Sequence, residues 1–298
     1  MKRWKCWLLD TEPQSTRNAH FRSFFLQWQR FRRKSGSTTG IVILGLLSAT
    51  ALCGPFLVVH SPFEQNLAVR LSAPSAEHWL GTDQFGRDLL SRLVYGTRLS
   101  LCIPVLVAMI GAPIGLGVGM AAAYIGGWTE VILMRITDVF FAFPMLMLAL
   151  AFSASIRPGL EATIIAIALT MWPGIARLAR AESLRIRSSD YMAAIRMLGA
   201  SHLRILAYHV FPMCLPSVIT RISLSMARLV LTVAGLGFLG MGVQPPQPEW
   251  GAMLASGQSY VFEYWWIPTF PGLAIILASF GFNVLGEALR DGLDPRMN

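Results

Sequence analysis

Long apolar runs alternate along the chain with shorter charged stretches, and six of the runs approach the roughly 20 helical residues needed to cross a hydrocarbon core. They extend approximately over Gly40–Val59, Leu99–Tyr124, Val131–Ser153, Leu160–Arg177, Leu215–Gly240 and Trp265–Leu285. The pattern predicts an all-α, polytopic membrane protein with six transmembrane helices and no large soluble core. It divides into a basic tail at 1–38, a first helix at 39–59, an external loop at 60–98, and a five-helix body at 99–298 with an internal connection at about 178–212.

Composition agrees: 54% of the 298 residues are hydrophobic and 14% charged. That balance is too apolar for an ordinary soluble domain. The formal charge of +9 raises the question of nucleic acid. The basic residues, however, sort by membrane side instead of forming one patch interleaved with aromatics, which excludes a nucleic-acid partner. Nine of the 25 Lys and Arg precede residue 35. This tail is too long, and too poor in a following small-residue cleavage site, for a signal peptide, so an uncleaved first helix with a cytoplasmic N-terminus is expected. Arg70, Arg87, Arg92, Arg98 and Arg157 fall outside, and Arg221 and Arg228 inside a span, leaving 25 − 5 − 2 = 18 on the cytoplasmic side. Both termini are therefore expected in the cytoplasm.

Cys6, Cys53, Cys102 and Cys214 show no CxxC spacing, and the five histidines are equally dispersed. No metal site or catalytic constellation follows. There is no GxxxxGK[ST] either, so if ATP drives this protein the nucleotide binds another chain. Gly111, Gly115, Gly117 and Gly119 give the second span a small-residue face suited to close helix packing. Trp265 and Trp266, after the proline-stiffened loop 244–251, suit the headgroup region.

The connection at 178–212 carries the most information. Asp190 is placed to cap a helix beginning at Tyr191. Tyr191, Ala194, Ile195 and Leu198 then recur at i, i+3, i+4 and i+7, which makes one apolar face of about two turns. Gly199 ends that helix, and Ser201 can cap a second, basic one, so the two form an elbow. With Arg185, Arg187, Arg196 and Arg204 around it, the face suits a groove on an acidic soluble domain. It equally suits an interfacial helix on lipid, its arginines snorkelling to anionic headgroups.

Two charged features lie within spans. Arg135 and Asp138 are spaced for an intrahelical pair. Arg228, with Arg221 two turns earlier, either pairs with an acid such as Glu287 or one of a partner chain, or lines a wet pathway for an anionic group.

Four blocks resemble a known family. Ala193-Ala194-Ile195, three residues, Gly199, nine residues and His209-Val210-Phe211-Pro212 keep the spacing of the EAA loop of bacterial ABC importer permeases, with Ala193 where many relatives have Glu. A Glu there would have completed a capping box with Asp190, so a charge contact by that Glu is not carried over. Trp79-Leu-Gly-Thr-Asp-Gln-Phe-Gly-Arg-Asp88, continuing to Ser100, resembles the LGTDxxGRDxxSRxxxGxRxS signature of C-type dipeptide and oligopeptide permeases. Gly235–Gly251 and Leu285–Arg296 are similar to that family's last two signatures. The D,D-dipeptide permease is similar too, and nickel, glutathione and antimicrobial-peptide importers share the same blocks.

The resemblance implies a type I ABC importer permease fold in the bacterial inner membrane, forming half of a pathway for dipeptides or short oligopeptides. Implied partners are a homologous permease, two cytoplasmic ATPases holding ATP and Mg, a periplasmic peptide-binding protein and membrane lipid. This chain would bind no cofactor and would not be an enzyme. Tyr191, Ala193, Ala194, Ile195, Leu198, Gly199, Ala200 and Pro212 are the implied ATPase-coupling residues, with Arg228 a pathway candidate. A membrane-embedded enzyme, and a secondary transporter or channel working without ATPases, are the rival classes; lack of an internal inverted repeat disfavours the secondary transporter.

Overall fold

A computed structural model describes residues 35–293. Most of the basic tail, and the end of the last signature from Asp294, lie outside the described residues. The chain forms α1 (Ser35–Leu57), α2 (Leu89–Ile125), α3 (Gly127–Phe141), α4 (Met145–Ile156) and α5 (Leu160–Arg187). There follow α6 (Asp190–Met197), α7 (His202–Ile205), α8 (Phe211–Phe238), α9 (Trp250–Gly257) and α10 (Trp266–Leu293). No strand forms among the described residues. In lipid a helix satisfies its own backbone, which is why apolar length located the long spans among these elements.

Among the described residues five helices are long and apolar enough to cross a membrane, and α3 with α4 make a sixth if they count as one span bent by 93°. The expected continuous third span, Val131–Ser153, is thus broken. Pro144 has φ −58° and ψ 131°, and its missing N–H and its effect on Phe143 end one helix and start the next. The second span starts ten residues before the expected Leu99, because Asp88 Oδ2 accepts from Ser91 N at 2.8 Å and caps the helix there. The fourth span runs on to Arg187.

Spans gain little from excluding water in lipid, so contact comes from close packing. Gly111, Gly115 and Gly119 seat α2 against α5: a Cβ would lie 2.5 Å from Trp172 O at Gly115 and 2.3 Å from Ala176 O at Gly119. Gly117 is not part of this face, since a Cβ there meets nothing within 4 Å. Ile103, Val107, Ile167, Ile175, Val218 and Leu229 fill the core between α2, α5 and α8. Outside it, α10 crosses α8 at Gly286, where a Cβ would lie 2.9 Å from Ser223 O, and α1 leans on α10 through Gly40 and Gly281.

The signatures at the start of α2 and before α9 build one end of the molecule. Asp83 Oδ1 accepts from Phe85 N and Arg87 N, while Oδ2 takes Arg87 Nε at 2.6 Å; Arg92 reaches across to Pro62 O. His78 Nδ1 lies 3.0 Å from the free oxygen of Asp88. Gly86 has φ +70°, and a Cβ there would overlap Asn66 O, so the loop requires glycine. Glu249, fully buried, caps α9 by accepting from Gly251 N and Ala252 N, each at 2.9 Å. Trp250 Nε1 donates to Leu93 O at 3.1 Å. Trp266 also turns inward against α9, leaving only Trp265 exposed, so the expected outward aromatic pair is half core.

Candidate functional site

At the opposite end, α6 and α7 connect α5 to α8. Ser189, not the expected Asp190, is the N-cap, its hydroxyl accepting from Met192 N at 3.4 Å; Asp190 is the first helical residue, where a negative charge suits the helix dipole. Leu198 N still bonds to Ala194 O, and Gly199 at φ +75° turns the chain out of the helix. Ser201 precedes α7 without a side-chain capping bond. The expected second helix is not separate. It runs through a π turn, Leu206–Val210, into α8, which makes His202–Phe238 one span. The wider turn accommodates Pro212, which has no N–H to donate and would crowd an ordinary preceding turn.

The faces of α6 differ from the spacing-based expectation. Met192 is fully buried, and Ile195 and Ala200 pack against the core beside it. Tyr191, Ala193 and Ala194 face outward with Met197 and Leu198, which are 83% and 81% exposed; Leu203 follows across the elbow at 80%. The rim arginines are partly engaged: Arg185 pairs with Glu182, Arg187 Nη1 donates to Ala123 O at 2.8 Å, and Arg196 reaches Arg187 O at 3.5 Å. Two aromatic hydroxyl–imidazole contacts hold the elbow: Tyr191 Oη to His209 Nδ1 at 2.8 Å, and Tyr124 Oη to His202 Nδ1 from the end of α2. The result is an exposed apolar ridge on a braced support. Met192, Met197, Leu203 and His209 were not singled out by the helical spacing; the signal was their apolar or aromatic-pairing character on either side of Gly199.

A second feature lies inside the bundle. A cavity of about 250 Å³ opens where α3 breaks into α4, facing α5 and α8, and its lining includes Phe140, Phe141, Met145, Thr170, Arg221 and Arg228. Of the alternatives for Arg228, the pair with Glu287 is not formed: Glu287 accepts from Asn283 Nδ2 at 3.0 Å, and among the described residues neither Arg221 nor Arg228 joins an ion pair. The expected Arg135–Asp138 ion pair forms at 3.8 Å, and Asp138 makes a shorter second one, at 2.6 Å, with Arg177 of α5. Across helices, Arg177 also lies 4.0 Å over the Phe141 ring. No group of three metal-ligating side chains occurs among the described residues.

Residues 113–298 match the family described as the binding-protein-dependent transport system inner membrane component, and residues 23–74 match the N-terminal transmembrane domain of oligopeptide transport permease C. The chain is 40% identical to a di/tripeptide transport system permease protein of Pseudomonas aeruginosa over 91% of each chain. It is 39% identical to a probable D,D-dipeptide transport system permease protein of Escherichia coli over 87% of each. It is 38% identical to a glutathione transport system permease protein of Pectobacterium atrosepticum over 91% of this chain and 90% of that one. A chain of the inward-facing MetNI methionine ABC transporter superposes with a TM-score of 0.57 at 20% identity, covering 68% of this chain and 96% of the other. With its helices, its broken span and its braced elbow laid out on that fold, the chain belongs to the binding-protein-dependent transport inner membrane component family, the multi-pass permease subunits of ABC transporters.

Proposed function

We propose that this chain forms half of the translocation pathway of an ATP-driven importer for dipeptides or short oligopeptides and couples that pathway to partner ATPases. The relatives' names support the substrate class: di/tripeptides, D,D-dipeptides and glutathione are all small peptides with free carboxylates. D,D-dipeptides such as D-alanyl-D-alanine fall within it. A homologous permease, two ATPases binding ATP and Mg, and a periplasmic peptide-binding protein complete the proposed assembly. Both termini lie in the cytoplasm on this reading, so the elbow does as well.

The observation that carries the proposal is the ridge of Tyr191, Met197, Leu198 and Leu203, exposed on a support that the Tyr191–His209 and Tyr124–His202 contacts hold to the spans. An apolar ridge of this kind docks into a groove of a partner. Because α6 and α7 join α5 to α8 without slack, movement of the partner passes to those spans as rigid-body tilting. Gly199→Asp tests it. A Cβ at Gly199 meets nothing within 4 Å, and Asp tolerates a left-handed backbone better than most residues, so the chain inserts and folds. The added charge then faces the partner's groove, and ATP hydrolysis continues while dipeptide uptake in the assembled transporter falls at least about tenfold. Uptake at the wild-type rate would remove the elbow from the coupling path.

A further inference from the structure

We infer that Arg221 and Arg228 form a carboxylate-binding subsite on the pathway side of α8, taking the C-terminal carboxylate of a small peptide as it passes; this rests on the peptide-permease function proposed above. The two residues lie seven apart on one helix, about 10 Å by helical rise, and both open onto the cavity at the α3–α4 break. None of the residues lining that cavity is Asp or Glu. Arg221 extends over α5, its Nη2 3.9 Å from where a Cβ of Gly174 would stand.

The neighbouring cations show what a structural arginine does in this fold. Arg177 is held by Asp138 and the Phe141 ring, and Arg180 Nε lies 2.7 Å from Glu130 Oε1. Arg221 and Arg228 have no such acid, although a guanidinium within an apolar span is costly without a partner. The hydroxyls at the cavity do not supply one. Thr170 Oγ1 donates to Ile167 O at 2.8 Å, and Ser225 Oγ donates to Arg221 O at 2.8 Å. A carboxylate can accept two parallel N–H bonds from one guanidinium, a geometry that an ammonium cannot reproduce. Phe140, Phe141 and Phe143 supply an apolar wall beside the charge. At about 250 Å³ the cavity is smaller than the ~300–1,000 Å³ of sites that enclose a whole drug-sized ligand, which suits one peptide end and its side chain.

An acid of the neighbouring permease or the headgroup of an anionic lipid would satisfy the same guanidinium chemistry, so the experiment separates them. The full transporter, with its second permease, ATPases and binding protein, is reconstituted in phosphatidylcholine vesicles with and without phosphatidylglycerol, and ATP-dependent uptake of dialanine is measured for wild type, Arg221→Gln, Arg228→Gln and Arg228→Lys. Each Gln variant should lose uptake by roughly tenfold or more in both vesicle types, with complex yield and basal ATPase activity within about twofold of wild type. Arg228→Lys should recover part of the rate, since it keeps charge without the fork. Gln variants that transport like wild type, or a loss confined to vesicles with phosphatidylglycerol, overturn the subsite, the latter in favour of an anionic lipid headgroup. A Gln variant whose complex dissociates while Arg228→Lys restores it assigns the residue to an inter-subunit ion pair and overturns it too. If the wild-type transporter fails to import dialanine or any other short peptide, the peptide function itself falls and takes the subsite with it.

Discussion

Tyr191 Oη lies 2.8 Å from His209 Nδ1, joining the first turn of α6 to the π turn that opens α8. Their rings also meet edge to face at 5.8 Å. The contact spans the Gly199 break, so it sets the angle of the elbow more directly than either short helix does. Tyr191→Phe keeps the ring contact and removes the hydrogen bond, worth about 1 kcal/mol net. The expected outcome is a stable transporter with a lower ratio of peptide imported to ATP hydrolysed, measured in proteoliposomes. An unchanged ratio would mean that the ring packing alone holds the elbow.

The glycine face of α2 yields a sharper test of packing. In Gly119→Ala the new methyl would sit 2.3 Å from Ala176 O and 2.7 Å from Ala179 Cβ, so α2 and α5 must separate. Overpacking of this kind costs ~1–3 kcal/mol. Gly117→Ala, two residues earlier and open, should shift stability by no more than about 0.5 kcal/mol. Thermal unfolding of the two purified variants in detergent should therefore separate them clearly, with Gly119→Ala lower.

Burial pushes the Glu249 carboxyl above its ordinary value, while the N–H groups of Gly251 and Ala252 and the Ser100 hydroxyl pull it back. Because the folded value lies above the unfolded one, the native state holds the proton more tightly between the two. The unfolded state then binds fewer protons, and this group's contribution to stability falls as pH rises through that window. Glu249→Gln stands in for the protonated acid and removes the dependence. The melting temperature of wild type relative to Glu249→Gln should drop as the pH rises from the ordinary carboxylate range through the raised folded value. A constant difference across that range would show that Glu249 does not titrate there in the folded protein.

Topology is open to direct labelling. The arginine asymmetry predicts that the loop before α2 and the loop between α8 and α9 face the periplasm. Gln247 is exposed and suits a reporter cysteine, whereas Gln84, which the loop sequence also offers, buries its Oε1; Gln65 is exposed and replaces it. In a cysteine-free background, Gln65→Cys and Gln247→Cys should react with an impermeant thiol reagent on intact spheroplasts. Reaction of either one only after lysis would reverse the assignment.

Sequence alone determined the helical class, the approximate spans and the elbow, because each rests on a local rule. A span satisfies its own backbone, so apolar length reveals it. A left-handed residue after a two-turn helix favours glycine, so Gly199 announces the break. The four signatures resemble the family because their residues fill fixed local geometries, as Asp83, Gly86 and Asp88 do around the start of α2. Only the tertiary structure decided what depends on neighbours far along the chain. Helical spacing put Ile195 on one face of α6 with Tyr191, Ala194 and Leu198; those three are exposed, but the core took Ile195 with Met192 and left Met197 outside. Spacing paired Asp138 with Arg135, but α5 brought Arg177 closer. It read Val131–Ser153 as one span, and the turn at Pro144 opened instead the cavity where Arg221 and Arg228 stand without an acid. Ion pairs and apolar faces are set by which helices lie side by side, and a residue's own helix carries no record of its neighbour.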